Sequence, residues 1–279
     1  MNILSFLQNV DRRFLYALIL FVVGVPFFLK LKLPVSVSPS TESLYQAIEQ
    51  LQPNDFVLLS MDWGAGTRGE NRPQSIILLN HIMRKKLRFA ILSFEPQSKT
   101  IAQAMTEEIA KTYHYVYGQN WVNFGYRADQ DNYLKGFVLD ITHTIVSDIN
   151  GTPIESMPVM KGVTSAHDIK LILDVTPSDS FNSYIKFVQG PFHVPEGVAL
   201  TSVMAPEAYN RLDSKQLVGL MAGLQGAVEY ETRMGILGRA TRASISLSFA
   251  HFLIIALILM GNVAMVLERR RVRRMESDG

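Results

Sequence analysis

Residues 243–267 run for 25 positions without Lys, Arg, Asp or Glu, and five arginines follow within six positions: Arg269, Arg270, Arg271, Arg273 and Arg274. A helix needs about 20 consecutive apolar residues to cross a bilayer core. Clustered arginine just beyond such a span marks the cytoplasmic side. Whatever this chain folds into has to be arranged around that segment.

An earlier stretch, FLYALILFVVGVPFFL, is charge-free for 16 residues from Phe14. Arg12 and Arg13 precede it, and Lys30 and Lys32 follow. These long cations can snorkel to the interfaces, while Leu31 and Leu33 extend the apolar length. Residues 14–33 are therefore expected to form a first transmembrane helix, with Pro26 kinking its outer end. Lys30-Leu-Lys-Leu-Pro stands where a cleaved signal peptide would carry small residues, so an uncleaved signal anchor is expected. Two spans put both termini on one side, and the basic tail assigns that side to the cytoplasm. The expected organisation is a cytoplasmic N-terminus (1–13), a first span (14–33), an extracytoplasmic domain (34–242), a second span (243–267) and a basic cytoplasmic tail (268–279). In a cell with two membranes the domain would be periplasmic. His251 falls within the second span, where an interfacial position or a partner helix would accommodate it.

About 210 residues between the spans suffice for one sizeable α/β domain or two small ones. The net charge is +2, and much of the basic excess lies in the tail, so composition gives no argument for nucleic-acid binding. With no cysteine, disulfides, thiolate metal sites and cysteine nucleophiles are excluded.

Within the domain, short apolar runs alternate with helical periodicity. After a Pro/Ser linker, residues 43–51 form a helix. Strands are expected at 56–61, 88–93, 115–117, 169–175 and 198–203, and helices at 73–86, 98–113, 134–146, 180–188 and from 208 onward. Strands apolar throughout, with helices between them, indicate a parallel sheet covered on both faces. The expected fold class is α/β: a doubly wound, mostly parallel sheet of about five strands, Rossmann- or flavodoxin-like, flanked by two transmembrane helices.

Ligands of such sheets bind beyond the carboxyl ends of the strands. Ser60, Glu95, Asn120, Asp174 and Thr176, with Asp62, are expected there as a polar cleft, although Asp and Ser in those places also cap helices. The loop Asp62-Trp63-Gly64-Ala-Gly66-Thr-Arg68-Gly69-Glu70-Asn-Arg72 matches G-x-G-x-x-G after a strand, the setting of a dinucleotide fingerprint. Two features oppose that use. Pro73 places the helix start about four residues beyond the last glycine, and Asp62 brings negative charge where a pyrophosphate would lie. The alternatives are a flexible loop or a ligand or partner contact through Asp62, Trp63, Gly64, Gly66, Arg68, Glu70 and Arg72. A second candidate is an aromatic loop in which Trp121, Phe124, Tyr126 and Arg127 line a pocket or a protein contact.

The histidines lie far apart, with no H-E-x-x-H, and no G-x-S-x-G is present. No catalytic residue, cofactor or metal site is expected. Residues 217–228 (LVGLMAGLQGAV) have the small residues Gly219, Ala222, Gly223, Gly226 and Ala227 at helical spacing. Each glycine costs a helix roughly 1 kcal/mol relative to alanine, and close approach of a neighbouring element would offset this. That element is either the sheet or a helix of another subunit. The functional expectation is a non-enzymatic component of a membrane assembly, partnered by the bilayer and by another membrane protein or a second copy. The alternative is an anchored small-ligand receptor, or a hydrolase using the strand-end acids.

Overall fold

Ser38 opens the first helix of the domain. Its hydroxyl accepts from the Thr41 N–H, Pro39 takes the first turn and Glu42 favours the positive helix end. That detail is typical of the computed structural model, which describes residues 11–28 and 35–277. The chain divides into two units, one of the two terminal segments and one formed by Val35–Ala240.

In the Val35–Ala240 unit the elements run α2 (Pro39–Glu49), β1 (Phe56–Met61), α3 (Arg68–Arg84), β2 (Arg88–Ser93), α4 (Ser98–Tyr113), β3 (Trp121–Tyr126), α5 (Gln130–Phe137), α6 (Ile141–Thr144), β4 (Ile169–Thr176), α7 (Phe181–Tyr184), β5 (Glu196–Leu200), α8 (Ala205–Asp213), β6 (Gly219–Ala222) and α9 (Gly223–Met234). A π-helical stretch, Ile185–Gln189, continues α7. All six strands are parallel, in the order β3-β2-β1-β4-β5-β6. This is the order of the Rossmann-type doubly wound fold.

The pleat sends alternate side chains to opposite faces. Val57, Leu59, Met61, Leu173, Val175 and Met221 pack with Leu44, Ile48, Leu78 and Ile82 on one side. Phe56, Leu58, Ile172, Val122 and Phe124 pack with Leu134, Phe137, Tyr184 and Val188 on the other. Both faces are dry, which is why the strands read as unbroken apolar runs.

Several expected boundaries are corrected. The sheet has six strands rather than five. The third strand is Trp121–Tyr126, so the residues expected to form an aromatic loop form an edge strand instead. The helix expected over 134–146 is two short helices, separated by residues 138–140. The helix after β1 begins at Arg68, preceded by a 3-10 turn at Ala65–Thr67, and Pro73 sits in its second turn. Residues 217–228 are not one helix: Gly219–Ala222 pairs with β5, and the helix starts only at Gly223. Gly219, Ala222, Gly223, Gly226 and Ala227 thus do not form a helical stripe. Gly219 lies against the Leu44 backbone and Gly226 against Met221.

The terminal segments contribute α1 (Arg12–Phe28) and, from Thr241 on, α10 (Arg239–Ser277), whose first two residues belong to the Val35–Ala240 unit. Among the described residues one helix, spanning Arg239–Arg270, is long and apolar enough to cross a membrane, where the sequence suggests two. The first expected span is described only through Phe28, and its last residues lie outside the described part.

His81 ties α2, α3 and α9 together. Its Nε2 lies 2.8 Å from Glu49 Oε2 and its Nδ1 2.7 Å from the Tyr230 hydroxyl, and its ring stacks on Tyr45. Despite the adjacent carboxylate, burial holds the imidazole down at about 4, with Arg84 and Lys85 adding to the effect. The ring is therefore neutral at pH 7, donating from Nε2 and accepting the tyrosine proton at Nδ1. Because the unfolded histidine titrates near 6.5, this stability is complete above that pH and is lost as pH falls toward 4. The expected loss is about 3 kcal/mol. Because buried acids at the strand ends respond to pH in the opposite direction, the effect is read as a difference: in urea unfolding, the stability of wild type relative to a His81→Gln variant should fall by about this amount from pH 7 to pH 4. Equal slopes would contradict the assignment.

Candidate functional site

The carboxyl ends of β1, β2 and β4 gather Ser60, Asp62, Ser93, Glu95, Asp174 and Thr176, as the sequence suggests. Asp62 follows β1 directly, and its N–H donates to the Val175 carbonyl at 2.9 Å. Its carboxyl accepts the Phe94 N–H at 2.5 Å and the Ser60 hydroxyl at 2.8 Å. Tyr184, from α7, donates to Ser60 Oγ at 3.0 Å. Beside Ser60 in register lies Asp174, with Ser180 Oγ 2.7 Å from its Oδ2 and 2.8 Å from Thr176 Oγ1. Asp62 is 7 % exposed and Asp174 wholly buried.

Burial decides the charge state of these acids. It pushes Asp62 up to about 6, with Glu95 adding a smaller upward effect. Asp174 is raised well above the ordinary range by burial and then by the charge of Asp62. Glu196, in the first position of β5, is raised by burial and then by Asp174. One oxygen of Asp174 and both of Glu196 have no hydrogen-bond partner among the described residues. Unpaired carboxylates are costly in a dry site, and neutralisation is the usual outcome. Three buried acids thus lie within electrostatic reach of one another, Asp62 with Asp174 and Asp174 with Glu196, and Tyr184 of α7 bonds to Ser60 beside them.

The crevice beyond the strand ends is filled from α3. Asn71 Nδ2 donates to the Thr176 carbonyl at 3.3 Å and to Gln74 Oε1 at 3.0 Å. Gln74 Nε2 reaches the carbonyls of Leu200 at 2.8 Å and Gly223 at 3.0 Å. Two buried amides thus satisfy carbonyls where β4, β5 and β6 end, in the region where a Rossmann-type fold would receive a ligand. Asn71, Gln74, Tyr184, Ser180 and Glu196 are not singled out by sequence pattern. The available signal was a polar pair at i and i+3 on the inward side of α3.

The other predicted residues separate. Asn120 precedes β3 and so lies at the amino edge of the sheet, where its Oδ1 accepts the Val116 N–H at 2.8 Å. Trp121 and Phe124 are core residues. Arg127 is engaged by the Tyr133 hydroxyl and by the Tyr126 and Ser147 carbonyls. In the glycine loop, Trp63 is buried with its indole N–H on Ser75 Oγ at 3.0 Å. The Ala65 N–H is taken by Gln97 Oε1 at 3.2 Å, and Glu70 Oε2 accepts from the N–H and hydroxyl of Ser202 at 2.8 and 2.7 Å. Arg68 and Arg72 alone among its charged side chains have no hydrogen-bond or ion-pair partner among the described residues. They line a cavity of about 250 Å³ together with Ala65 and with Ile101, Ala104, Met105 and Glu108 of α4. Among the described residues no group of three His, Asp or Glu side chains is placed to hold a metal ion.

No family model and no curated protein matches the chain. Among solved structures, it is similar to a trehalose-6-phosphate synthase, OtsA, at 12 % identity with a TM-score of 0.33. That match covers 86 % of this chain, which spans about half (47 %) of the synthase. At that score the likeness carries no argument about activity.

Proposed function

We propose that the chain is a non-enzymatic, membrane-anchored component of a membrane protein assembly. Its α/β domain acts as scaffold or interaction module outside the membrane, and both termini lie in the cytoplasm. The observation that carries this reading is the closure of the strand-end edge. Asp62 and Asp174 are buried and bonded within the domain, and Asn71 with Gln74 occupies the carbonyls of three strand ends. General acid–base chemistry needs its groups within reach of a substrate, and these two acids are shut away from solvent. The apolar helix and the five arginines after it support the anchor and its orientation.

Native mass spectrometry of the full chain, extracted in a mild detergent, tests the proposal. The expected result is a reproducible membrane-protein partner or a defined homo-oligomer. A lone monomer carrying a small molecule would overturn it in favour of a receptor, the reading that the unpaired Arg68 and Arg72 favour. Orientation has a separate test: protease supplied from outside should digest the domain and spare the arginine tail.

A further inference from the structure

Ala65, Arg68 and Arg72 share one side of α3 and its preceding turn, at i, i+3 and i+7. Ile101, Ala104, Met105 and Glu108 share one side of α4, at i, i+3, i+4 and i+7. The cavity of about 250 Å³ lies between these two stripes, apolar along α4 and cationic along α3. Burial first, and then the charges of Arg239 and Arg68, hold the Arg72 guanidinium below its usual range; Arg68 lines the cavity with Arg72, and Arg239 does not. Glu108 is the acid that faces Arg72, without forming an ion pair. The lining sets two arginines against one glutamate, and the charge of Arg239 adds to the positive side, so the cavity carries a net positive charge. Arginines held together without counter-charges repel one another, and a bound anion removes that repulsion.

The glycine loop adds an independent observation. A Cβ added at Gly66 or Gly69 would meet nothing within 4 Å, and neither has a positive φ. The packing of this domain does not require glycine at either position, whereas close approach of a ligand to the backbone would. The cavity is smaller than the roughly 300–1,000 Å³ of sites for drug-sized ligands. It suits a phosphate group with a short substituent and excludes a dinucleotide.

We propose that Arg68 and Arg72 bind a phosphate ester over the Ile101, Ala104 and Met105 floor of this cavity. Arginine forks match phosphate oxygens in geometry as well as charge. Arg239 is the first residue of α10 and stands four positions before Ala243, where the charge-free run begins. A lipid headgroup is thus one source of the phosphate, and a small soluble ester is the other.

The test uses the full chain in mild detergent, with its arginine tail intact. Phosphatidic acid or phosphatidylcholine is added, and retained lipid is read by native mass spectrometry. Thermal melting is followed in parallel with inorganic phosphate and glycerol phosphate. If the source is lipid, phosphatidic acid is retained over phosphatidylcholine, and an Arg68→Gln, Arg72→Gln double variant lowers retention by about tenfold or more. If the source is soluble, the phosphates raise the melting temperature of the wild type and not of the double variant. Ala104→Trp, which fills the cavity from an exposed position, should abolish whichever effect is seen, and it decides the matter if the double variant fails to fold. Lipid retention equal in all three proteins, which is what binding by the tail would give, together with no phosphate-dependent melting shift, overturns the site.

Discussion

Gly219→Ala is expected to destabilise the domain by about 3 kcal/mol or more, at the upper end of overpacking effects. A Cβ built on Gly219 would stand 2.5 Å from Leu44 Cα and 2.8 Å from Leu44 Cβ, and closer still to the Leu44 nitrogen. The obstacle is backbone on backbone. Leu44 cannot swing away, because α2 is fixed by its Ser38 cap, by the buried Tyr45 and Ile48, and by the Ser38 hydroxyl donating to Glu229 Oε2 at 2.6 Å. Either β6 separates from β5 or α2 lifts from the sheet. In a domain of this size the loss should lower the melting temperature by roughly 6–12 °C. Gly223 is constrained in another way: its φ is +59°, and an added Cβ would collide with Ser202 Oγ and approach Glu70 Oε2 to 2.8 Å. Gly66→Ala serves as the control, since its added Cβ meets only open space, and it should leave the melt within a degree or two. If Gly219→Ala melted like wild type while breaking up a larger complex, these glycines would face a partner, and their placement in β6 would be wrong.

The same residues show where the sequence stopped being informative. FVLLSM, RFAILS and IKLILDVT are apolar runs of strand length, and β1, β2 and β4 fall within a residue of the expected bounds. Periodicity failed at the two sheet edges. β6 is four residues long and runs directly into α9, so GLMA joined to GLQGAV keeps small residues at i, i+3 and i+4 by coincidence. β3 carries Asn123 and Gly125 among its aromatics, with Gly125 at φ +78°, and its register shifts opposite Ile91 and Leu92. An irregular edge strand of that composition looks like a loop. Pro73 misled for a related reason: proline favours the first turn, but here it stands in the second, where the Asn71 and Gln74 contacts hold α3 in place.

The candidate site was legible in position and illegible in state. A parallel sheet directs the ends of its strands to one edge, so Ser60, Asp62, Ser93, Glu95, Asp174 and Thr176 could be placed together from the strand bounds alone. Asn120 does not join them, because the third strand begins six residues later than its apolar pattern suggests. Whether those groups face solvent depends on what covers them, and α7 with Tyr184 and the amides of α3 come from distant segments. Sequence spacing carries no information about that cover.

Asp62→Asn is expected to stabilise the domain increasingly as pH rises. The folded-state Asp62 is pushed up to about 6 by burial, whereas an aspartate in the unfolded chain titrates near 3.9. Below the unfolded value both states are protonated and the group is neutral in its effect. Between the two values the unfolded chain releases its proton while the folded domain keeps it, so stability falls with rising pH. Above about 6 the folded state carries the charge in a dry site, at a total cost of about 3 kcal/mol. Asparagine keeps an oxygen for the Phe94 N–H and can donate to Ser60, so at pH 4 the substitution should be close to neutral. The difference between variant and wild type should then grow by about 3 kcal/mol between pH 4 and pH 8. Asp174 acts in the same direction, since the charge of Asp62 is its second upward influence, and removing that charge eases its ionisation as well. The opposite slope from His81 is common to both proteins and cancels in the difference. Denaturant unfolding of the pair at pH 4, 6 and 8 measures this. A difference that stayed constant across that range would show that Asp62 is solvated, and with it that the strand-end edge is open to a ligand.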